Sequence, residues 1–249
     1  MHTKHSFFND LLSLEIHPAS TLMVHVSYKA IGEVDGRGDT VLDALCEYMK
    51  NGLLVLPSHT WANVNSEHNP VMDVLHTPSC VGVLTELFRK RKGVVRSLHP
   101  THSIAAFGKE AVDFAYGEEK TNTPCGKNGV YHKLWERNAQ ILLIGVNFTR
   151  NTYIHGIEEW DGVIAPVSSD LTDLYVISPK GNRIYTPQYR HNGKLGSNTF
   201  TKLEPQAISE GILSLGRFGD ATARVMLAQP LRKMTAELLK TDASYLMRY

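Results

Sequence analysis

Cysteine and long apolar runs are both scarce in this chain of 249 residues. Cys46, Cys80 and Cys125 are odd in number and widely spaced, without a C-x-x-C pair, so a zinc knuckle or redox motif is not indicated and a reducing compartment is expected. No apolar stretch approaches the ~18 residues that span a bilayer, and residues 1–20 lack the apolar region of a signal peptide. We expect a cytoplasmic protein with no membrane partner.

Net charge is also nearly absent. The formal net charge is +1, so no overall field would attract nucleic acid or an anionic membrane, and any anion site must be local. Hydrophobic residues make up 42% of the chain and charged residues 20%, which is ordinary for a globular protein with a sizeable core. We expect no nucleic-acid partner, and we expect residues 1–249 to form one domain.

Short β-rich runs alternate with segments of helical spacing. Strands are predicted at residues 21–26, 53–56, 104–107, 141–146 and 174–177. Helices are predicted at residues 40–50, with Asp39 as N-cap, and at 81–91, 109–116 and 131–137. From residue 204 onward, ARVMLA and LRKMTAELLK are both predicted to be helical. The alternation predicts an α/β fold, a single layered domain with a central mixed sheet flanked by helices.

Several common cofactor motifs are missing. The sequence contains neither G-x-G-x-x-G nor G-x-x-x-x-G-K-[ST], so it makes no case for a Rossmann or a Walker nucleotide site. It contains no H-E-x-x-H, and its 12 histidines show no recognisable metal spacing. We therefore expect no metal.

The stretch VVRSLHPTHSIAAFG, at residues 94–108, concentrates hydrogen-bond donors between a basic helix end and an apolar strand. It contains Arg96, Ser97, His99, Thr101, His102 and Ser103. Hydroxyls, N–H groups and an arginine that can bind two oxygens at once suit a phosphate group. The preceding RKRK run is interpreted instead as a solvated helix end that complements the helix dipole.

A glycine-rich stretch, HVSYKAIGEVDGRGD, follows the first predicted strand. A turn that leads from a strand to a helix N-terminus can hold an anion. Glycine and aspartate form ordinary turns equally well, so this stretch alone leaves both interpretations open.

Residues 151–160, NTYIHGIEEW, contain a pattern suited to proton transfer. If this segment is helical, His155 and Glu158 lie three residues apart and face the same way. Imidazole titrates near neutral pH, and a neighbouring carboxylate can fix its tautomer and stabilise its cation, as a general base requires. A single H-x-x-E is also a common accident, and most of the 12 histidines are expected to be structural.

Several segments, in their order along the chain, resemble those of one known family. HVSYKAIG is similar to an H-S-S-L-[KR]-x-x-G segment, and LLVLPSHTW to a strand leading into a loop. DVLHTPSCVGVLTELFRKRKGVVRSLHPTHSIAAFGKEA resembles a T-P…G…E-x-F-R…G…R-S-x-H-P-x-H-S-x-A-A-x-G block through nearly every position. ILLIGVNFTRNTYIHGIEE is similar to an L-x-L-G-V…N-T-x-x-H-x-x-E block, and RFGDATARVM to a C-terminal helix. These are segments of the aminoglycoside 3-N-acetyltransferase family, which the chain resembles from about residue 22 to near its end.

This resemblance implies acetyl transfer from acetyl-CoA, as cosubstrate, to a substrate amine on a single α/β fold unrelated to the GNAT acetyltransferases. His155 and Glu158 fall on the family's catalytic histidine and the glutamate beside it. The family's coenzyme A segments fall on Ser27, Tyr28, Lys29, Arg96, Ser97, His99 and Ser103. The expected partners are acetyl-CoA and a small-molecule amine acceptor, while the oligomeric state is left open.

The acceptor is less well defined than the coenzyme. An aminoglycoside is polycationic, so its pocket should be rich in carboxylates. The candidate substrate-binding residues are His59, Trp61, Asn63, Asp73 and Glu159. The only acidic residue in the loop at residues 58–69 is Glu67. The stretch IYTPQYRHN at 184–192 contains no acidic residue and includes Arg190. Besides an aminoglycoside-type acceptor, a smaller and less basic amine and a non-catalytic coenzyme A-binding protein remain open.

Overall fold

The computed structural model describes residues 1–65, 67–162, 167–191 and 196–247. Its strands are β1 Thr21–Val26, β2 Leu53–Pro57, β3 Val71–Asp73, β4 Val95–Arg96, β5 Ile104–Gly108, β6 Gln140–Ile144, β7 Tyr175–Ile177, β8 Arg183–Tyr185, β9 Leu213–Phe218 and β10 Ala221–Leu227. Its α-helices are α1 Lys4–Ser13, α2 Arg37–Tyr48, α3 Val83–Phe88, α4 Ala111–Ala115, α5 Val130–Glu136, α6 Thr152–Asp161, α7 Glu204–Ser209 and α8 Ala228–Thr241. Within the described part of the chain, no helix combines the length and apolar character needed to cross a membrane.

Seven strands form the larger sheet, in the order β4-β5-β2-β1-β6-β10-β9. β1 pairs parallel with β2 and β6, whereas β5 and β10 join from either side in antiparallel pairing. Every residue of β2 is buried, as expected for a strand covered on both faces. The prediction of an α/β fold with a central mixed sheet is confirmed, while the extent of the domain over residues 1–249 stays a prediction.

The central strands bury side chains on both faces because successive residues point in opposite directions. On one face, Met23 and Leu143 pack in a core shared with α5, α6 and α8. On the other face, Leu22 and Leu142 pack in a core shared with α1, α2 and α3. Helices thus flank the sheet, and each fully buried leucine contributes roughly 1.5–3 kcal/mol of hydrophobic stabilisation.

A second, three-stranded sheet has the order β3-β7-β8. Its small core contains Met72, Leu174 and Val176, and Val64 from the loop between β2 and β3 packs into the same cluster. This contact fixes the loop that follows β2, which forms one wall of the site described below.

The predicted strands agree with the structure to within two residues at each end, and the strand at 21–26 agrees at both ends. The helix predicted at 40–50 begins earlier, at Arg37, and its N-cap is Gly36 with φ 72°. The assignment of Asp39 as N-cap is therefore wrong. Asp39 lies in the first turn instead, where its charge still favours the helix dipole.

The C-terminal prediction is wrong in one part. ARVMLA and the longer RFGDATARVM are not helical, because residues 213–218 and 221–227 form the antiparallel hairpin β9–β10. Gly219, with φ 58°, makes the turn. Ala221 and Ala223 are buried while Thr222 is exposed, which is strand alternation. The segment LRKMTAELLK is helical as predicted, within α8.

Candidate active site

A cleft of about 850 Å³ opens where three strands of the large sheet end. Because β2, β1 and β6 are parallel, their carboxyl ends share one edge of the sheet. Residues just beyond each strand line the cleft: Ser27 after β1, His59 after β2 and Gly145 after β6. Ligands of α/β sheets commonly bind at this edge, so the cleft is the candidate site.

Gly145 lets the segments that follow β1 and β6 approach each other closely. It has φ 64°, and a Cβ atom at this position would lie 2.3 Å from the Ala30 Cβ. Ala30 belongs to the 3₁₀ turn Tyr28–Ile31 directly after β1. A larger residue would force this turn away from the sheet edge and change the shape of the cleft.

Helix α6 carries His155 and Glu158, as the sequence predicted for a helical segment. Tyr153, Ile157 and Trp160 recur at helical spacing and fix one face of α6 against the core. The Nδ1 of His155 then lies 2.8 Å from the Oε2 of Glu158. His155 lines the cleft, so with Nδ1 engaged, Nε2 is the ring nitrogen left for a bound molecule.

Burial disfavours charge on both members of this pair. It lowers the pKa of His155 to about 4, although the charge of Glu159 opposes this shift. It raises the pKa of Glu158 to about 8. The imidazole is therefore neutral at pH 7. When Glu158 is ionised, it accepts a hydrogen bond from Nδ1–H, and Nε2 keeps its lone pair. When Glu158 is protonated, it donates to Nδ1, so the ring proton lies on Nε2 and that nitrogen offers no lone pair.

Other imidazoles extend from His155 along the cleft. The ring of His191 lies 4.5 Å from that of His155 and 5.4 Å from that of His102, and the ring of His59 lies 4.7 Å from that of His102. Burial, followed by repulsion between the histidines, lowers the pKa of His59 and His102 well below the ordinary value. The row is thus neutral at physiological pH and contributes hydrogen-bonding groups rather than charge.

His25, near the end of β1, adds a buried polar atom beside the cleft. Its side chain lines the cleft, and its Nε2 has no hydrogen-bond partner among the described residues. Burial lowers the pKa of His25 to about 3. The His25 ring is therefore neutral at pH 7.

The charged residues that line the cleft are all cationic among the residues described. Lys29, Arg150 and Arg190 line it, and no Asp or Glu does. Lys29 follows β1 and Arg150 follows β6, so these two cations belong to the two central strand ends. The cleft therefore favours anionic groups over polycations.

The predicted coenzyme residues fall into two sets. Ser27, Tyr28 and Lys29 line the cleft. Arg96, Ser97, His99 and Ser103 do not, although Thr101 and His102 from the same block do.

Arg96 is buried and its guanidinium is occupied inside the protein. It donates to the backbone oxygens of Thr77 at 2.6 Å and Ser58 at 2.8 Å, and to the Oγ of Ser103 at 3.2 Å. Burial lowers its pKa to about 9. Ser103 in turn donates to the Ser58 oxygen at 2.6 Å. These contacts do not support the prediction that Arg96 and Ser103 bind the coenzyme, because a buried polar group needs internal partners.

Ser97 and His99 also stabilise the loop between β4 and β5. The Oγ of Ser97 accepts from the backbone N–H of Ile104 at 3.0 Å. His99 is fully buried, and its Nδ1 accepts from the backbone N–H of Thr101 and His102 at 3.1 and 2.9 Å. Their predicted coenzyme contacts are likewise not supported, and we assign both residues to the scaffold.

Of the five candidate acceptor residues, two line the cleft, His59 and Trp61. Trp61 is 45% exposed, and the Nε2 of His59 lies 2.7 Å from the Tyr131 hydroxyl. Asn63 does not line the cleft, and its amide donates to the Pro78 oxygen at 2.8 Å. Among the described residues, His59 and Trp61 therefore form an aromatic wall of the cleft.

Neither predicted acid faces the cleft. Asp73 accepts backbone hydrogen bonds from Leu75 and His76 within its own turn. The Glu159 side chain is only 5% exposed. It accepts from Thr123 Oγ1 at 2.6 Å and from the Cys125 backbone N–H at 3.0 Å, and it also lies 3.0 Å from His191 Nε2. Both carboxylates are thus satisfied internally and are not supported as an acidic wall.

Sequence reasoning missed His25, Arg150 and His191 as cleft residues, and it named His102 only as one of the donors in the stretch 94–108. Their only sequence signal is position, since His25 and Arg150 lie near the ends of strands and His102 lies within a donor-rich loop. His191 comes from a distant segment, and nothing local relates it to His155. Asn192, the last residue of the stretch 184–192, lies outside the described residues.

No group of three His, Cys, Asp or Glu side chains that could hold a metal ion occurs in the described residues. The absence of a metal requirement stays a prediction.

Comparison with known proteins relates this chain to one family. A sequence model of the family described as Aminoglycoside 3-N-acetyltransferase matches residues 23–240. The SPbeta prophage-derived aminoglycoside N(3')-acetyltransferase-like protein YokD of Bacillus subtilis is 30% identical over 181 residues, covering 61% of this chain and 63% of that protein. The chain thus spans less than two thirds of the length of this curated relative.

Two solved structures share the fold. The crystal structure of YokD superposes with a TM-score of 0.86 at 23% identity, covering 98% of this chain and 95% of that one. The structure of AAC-IIIb, described as binary with CoASH, superposes with a TM-score of 0.84 at 21% identity, covering 96% of this chain and 97% of that one.

Proposed function

Because the chain belongs to the aminoglycoside 3-N-acetyltransferase family, we propose that it is an acetyl-CoA-dependent N-acetyltransferase in which His155 is the general base. One observation carries the proposal. The His155 Nδ1 lies 2.8 Å from the buried Glu158 carboxylate, and the same imidazole lines the cleft. A cation, a general base and an open cleft are what acyl transfer from a phosphorylated coenzyme requires.

The proposed reaction uses the two ring nitrogens of His155 differently. The neutral amine of the acceptor attacks the thioester carbonyl, and Nε2 takes the proton that the nitrogen loses as the C–N bond forms. Ionised Glu158 accepts from Nδ1–H and stabilises the imidazolium. The C–S bond then breaks, and the proton on Nε2 passes to the leaving sulfur, giving the amide and free coenzyme A thiol.

Coenzyme binding is assigned to the segment that follows β1 and to the cation that follows β6. Ser27 and Tyr28 supply hydroxyls, and Lys29 and Arg150 supply positive charge at neighbouring strand ends. Coenzyme A carries a pyrophosphate and a 3′-phosphate, which suit such donors. The solved structure of AAC-IIIb, which shares this fold and is described as binary with CoASH, supports the proposal that this chain binds coenzyme A.

The acceptor proposed first is an amine of an aminoglycoside-type antibiotic, on the strength of the family. The cleft favours a second candidate, a smaller and less basic amine. A polycation would meet Lys29, Arg150 and Arg190 and no lining carboxylate among the described residues. A protein that only holds coenzyme A is disfavoured, because His155 faces the cleft and is already oriented by Glu158.

Free thiol release from acetyl-CoA, followed across a panel of aminoglycosides and small amines, tests the proposed activity. We expect release that depends on the acceptor and saturates with a small amine, with weaker saturation by aminoglycosides. Tight saturation by several aminoglycosides at physiological salt would contradict the preference for the less basic acceptor. No release with any amine, despite binding of acetyl-CoA, would favour the non-catalytic alternative.

A further inference from the structure

Arg190 is a half-buried cation that lines the cleft, and it has no ionic partner among the described residues. Its guanidinium makes two long contacts, each of 3.4 Å, to the backbone oxygens of Trp61 and Val64. A guanidinium offers five N–H donors, so most of the hydrogen-bonding capacity of Arg190 has no partner among the described residues. Burial lowers the pKa of Arg190, and no carboxylate in the described part of the chain offsets that effect.

The described residues offer Arg190 no carboxylate partner. No described Asp or Glu forms an ion pair with Arg190, and Glu159 is engaged instead by His191, at 3.0 Å. The residues at 66, 163–166, 192–195 and 248–249 include no Asp or Glu. An uncompensated guanidinium at a cleft wall therefore points to an anionic ligand.

The position of Arg190 favours the acceptor over the coenzyme. Its contacts are with Trp61 and Val64, in the loop that follows β2. The next residue, His191, has its ring 4.5 Å from that of the proposed base His155. The other two cations that line the cleft, Lys29 and Arg150, lie beyond β1 and β6, at the strand ends proposed above to bind the coenzyme phosphates.

We propose that Arg190 binds an anionic group carried by the acceptor, so that the preferred substrate is a primary amine bearing a carboxylate or phosphate group. This inference rests on the proposed N-acetyltransferase function. Arginine binds both anions through paired N–H donors. With the anion held by Arg190, the amine of the same molecule can reach Nε2 of His155.

Matched probes separate the anion from the amine. ω-Amino carboxylates with two to five methylenes are compared with the corresponding ω-amino amides, and phosphoethanolamine with ethanolamine. Each probe is assayed for thiol release and, by calorimetry, for binding to the complex of the enzyme with coenzyme A. The comparison is repeated in Arg190→Gln and Arg190→Lys, with Arg183→Gln as a matched control on β8, outside the cleft. Thermal unfolding checks that each variant is folded.

We expect at least one anionic probe to exceed its neutral counterpart by about ten- to a hundredfold in kcat/KM and in affinity, the range of a charge-assisted hydrogen bond. Arg190→Gln should abolish this preference, Arg190→Lys should retain part of it, and Arg183→Gln should keep it. The carboxylate and phosphate series identify which anion the site prefers. Acetyl-CoA affinity should be unchanged in Arg190→Gln.

Two results would overturn the anion subsite while leaving acetyl transfer intact. One is equal performance of anionic and neutral probes at every length. The other is a loss of acetyl-CoA affinity in Arg190→Gln that disappears with dephospho-coenzyme A, which would assign Arg190 to the 3′-phosphate of the coenzyme. If no probe is acetylated, calorimetry still decides the anion subsite, because tighter binding of anions to the wild type than to Arg190→Gln supports it independently of catalysis.

Discussion

Replacing Glu158 by glutamine should change the pH profile of kcat as well as its size. In the wild type, His155 is competent only when Glu158 is ionised, because only then does Nε2 keep its lone pair. Burial raises the pKa of Glu158 to about 8, so kcat should rise as the pH increases through about 8. In Glu158→Gln this titration is gone. The remaining limb belongs to His155, whose pKa burial lowers to about 4, so the limb moves to lower pH.

The size of kcat should fall as well. The amide keeps a hydrogen bond to Nδ1 but loses the charge that stabilises the imidazolium, and a charge-assisted hydrogen bond is worth about 1.5–3 kcal/mol. The plateau kcat at high pH should therefore fall by about ten- to a hundredfold. The assay is thiol release at saturating acetyl-CoA and acceptor from pH 6 to 9.5. Glu136→Gln is the matched control, since Glu136 lies 3.4 Å from His132 in another helical His–Glu pair outside the cleft. A Glu158→Gln profile that keeps a limb near pH 8 would refute the reasoning.

Three further substitutions test the coenzyme assignment of Lys29, the scaffold assignment of Arg96, and the effect of burying the Glu118 carboxyl, which is 2% exposed and accepts from the Val130 backbone N–H. Lys29→Ala should weaken acetyl-CoA binding by about tenfold, measured by calorimetry, because it removes a charge-assisted contact. Unchanged affinity would remove Lys29 from the coenzyme site. Arg96→Ala should instead lower the free energy of unfolding by about 2–4 kcal/mol in denaturant titrations, because it leaves buried carbonyls unpaired. A specific loss of coenzyme affinity in the folded variant would favour the prediction that Arg96 binds the coenzyme. Burial raises the pKa of Glu118 from its ordinary 4.5 to about 7. The unfolded state therefore ionises first as the pH rises between those values, and the wild type should lose up to about 3 kcal/mol of stability relative to Glu118→Gln. Curves of unfolding free energy against pH that run parallel for the two proteins would contradict this.

The central strands could be predicted from sequence because their signal is local. Runs such as residues 21–26 and 53–56 are apolar and β-branched, and turn formers bound them. The hairpin β9–β10 was mistaken for a helix because ARVMLA contains good helix formers and alternates weakly. Its conformation is decided by pairing with β6, which a local pattern does not contain.

The His155–Glu158 pair could also be predicted, because helical spacing alone brings residues three apart together. The structure does not support the predicted coenzyme contact of Arg96, and the reason is physical. A guanidinium serves equally well to bind phosphate and to hold backbone carbonyls together, and only burial distinguishes the two uses. The neighbourhood of His191 and His155 joins segments 36 residues apart in sequence, and no local pattern encodes it.

The kcat of His155→Ala, measured with saturating acetyl-CoA and the best acceptor found in the panel, tests the role of His155 most directly. We predict a fall of about two to four orders of magnitude, the usual range for a positioned acid or base, with acetyl-CoA affinity nearly unchanged. His76→Ala is the control, since His76 pairs with Asp73 at 3.0 Å, also three residues apart, outside the cleft. A His155→Ala enzyme that keeps more than about a tenth of the wild-type kcat would contradict the assignment of His155 as the base.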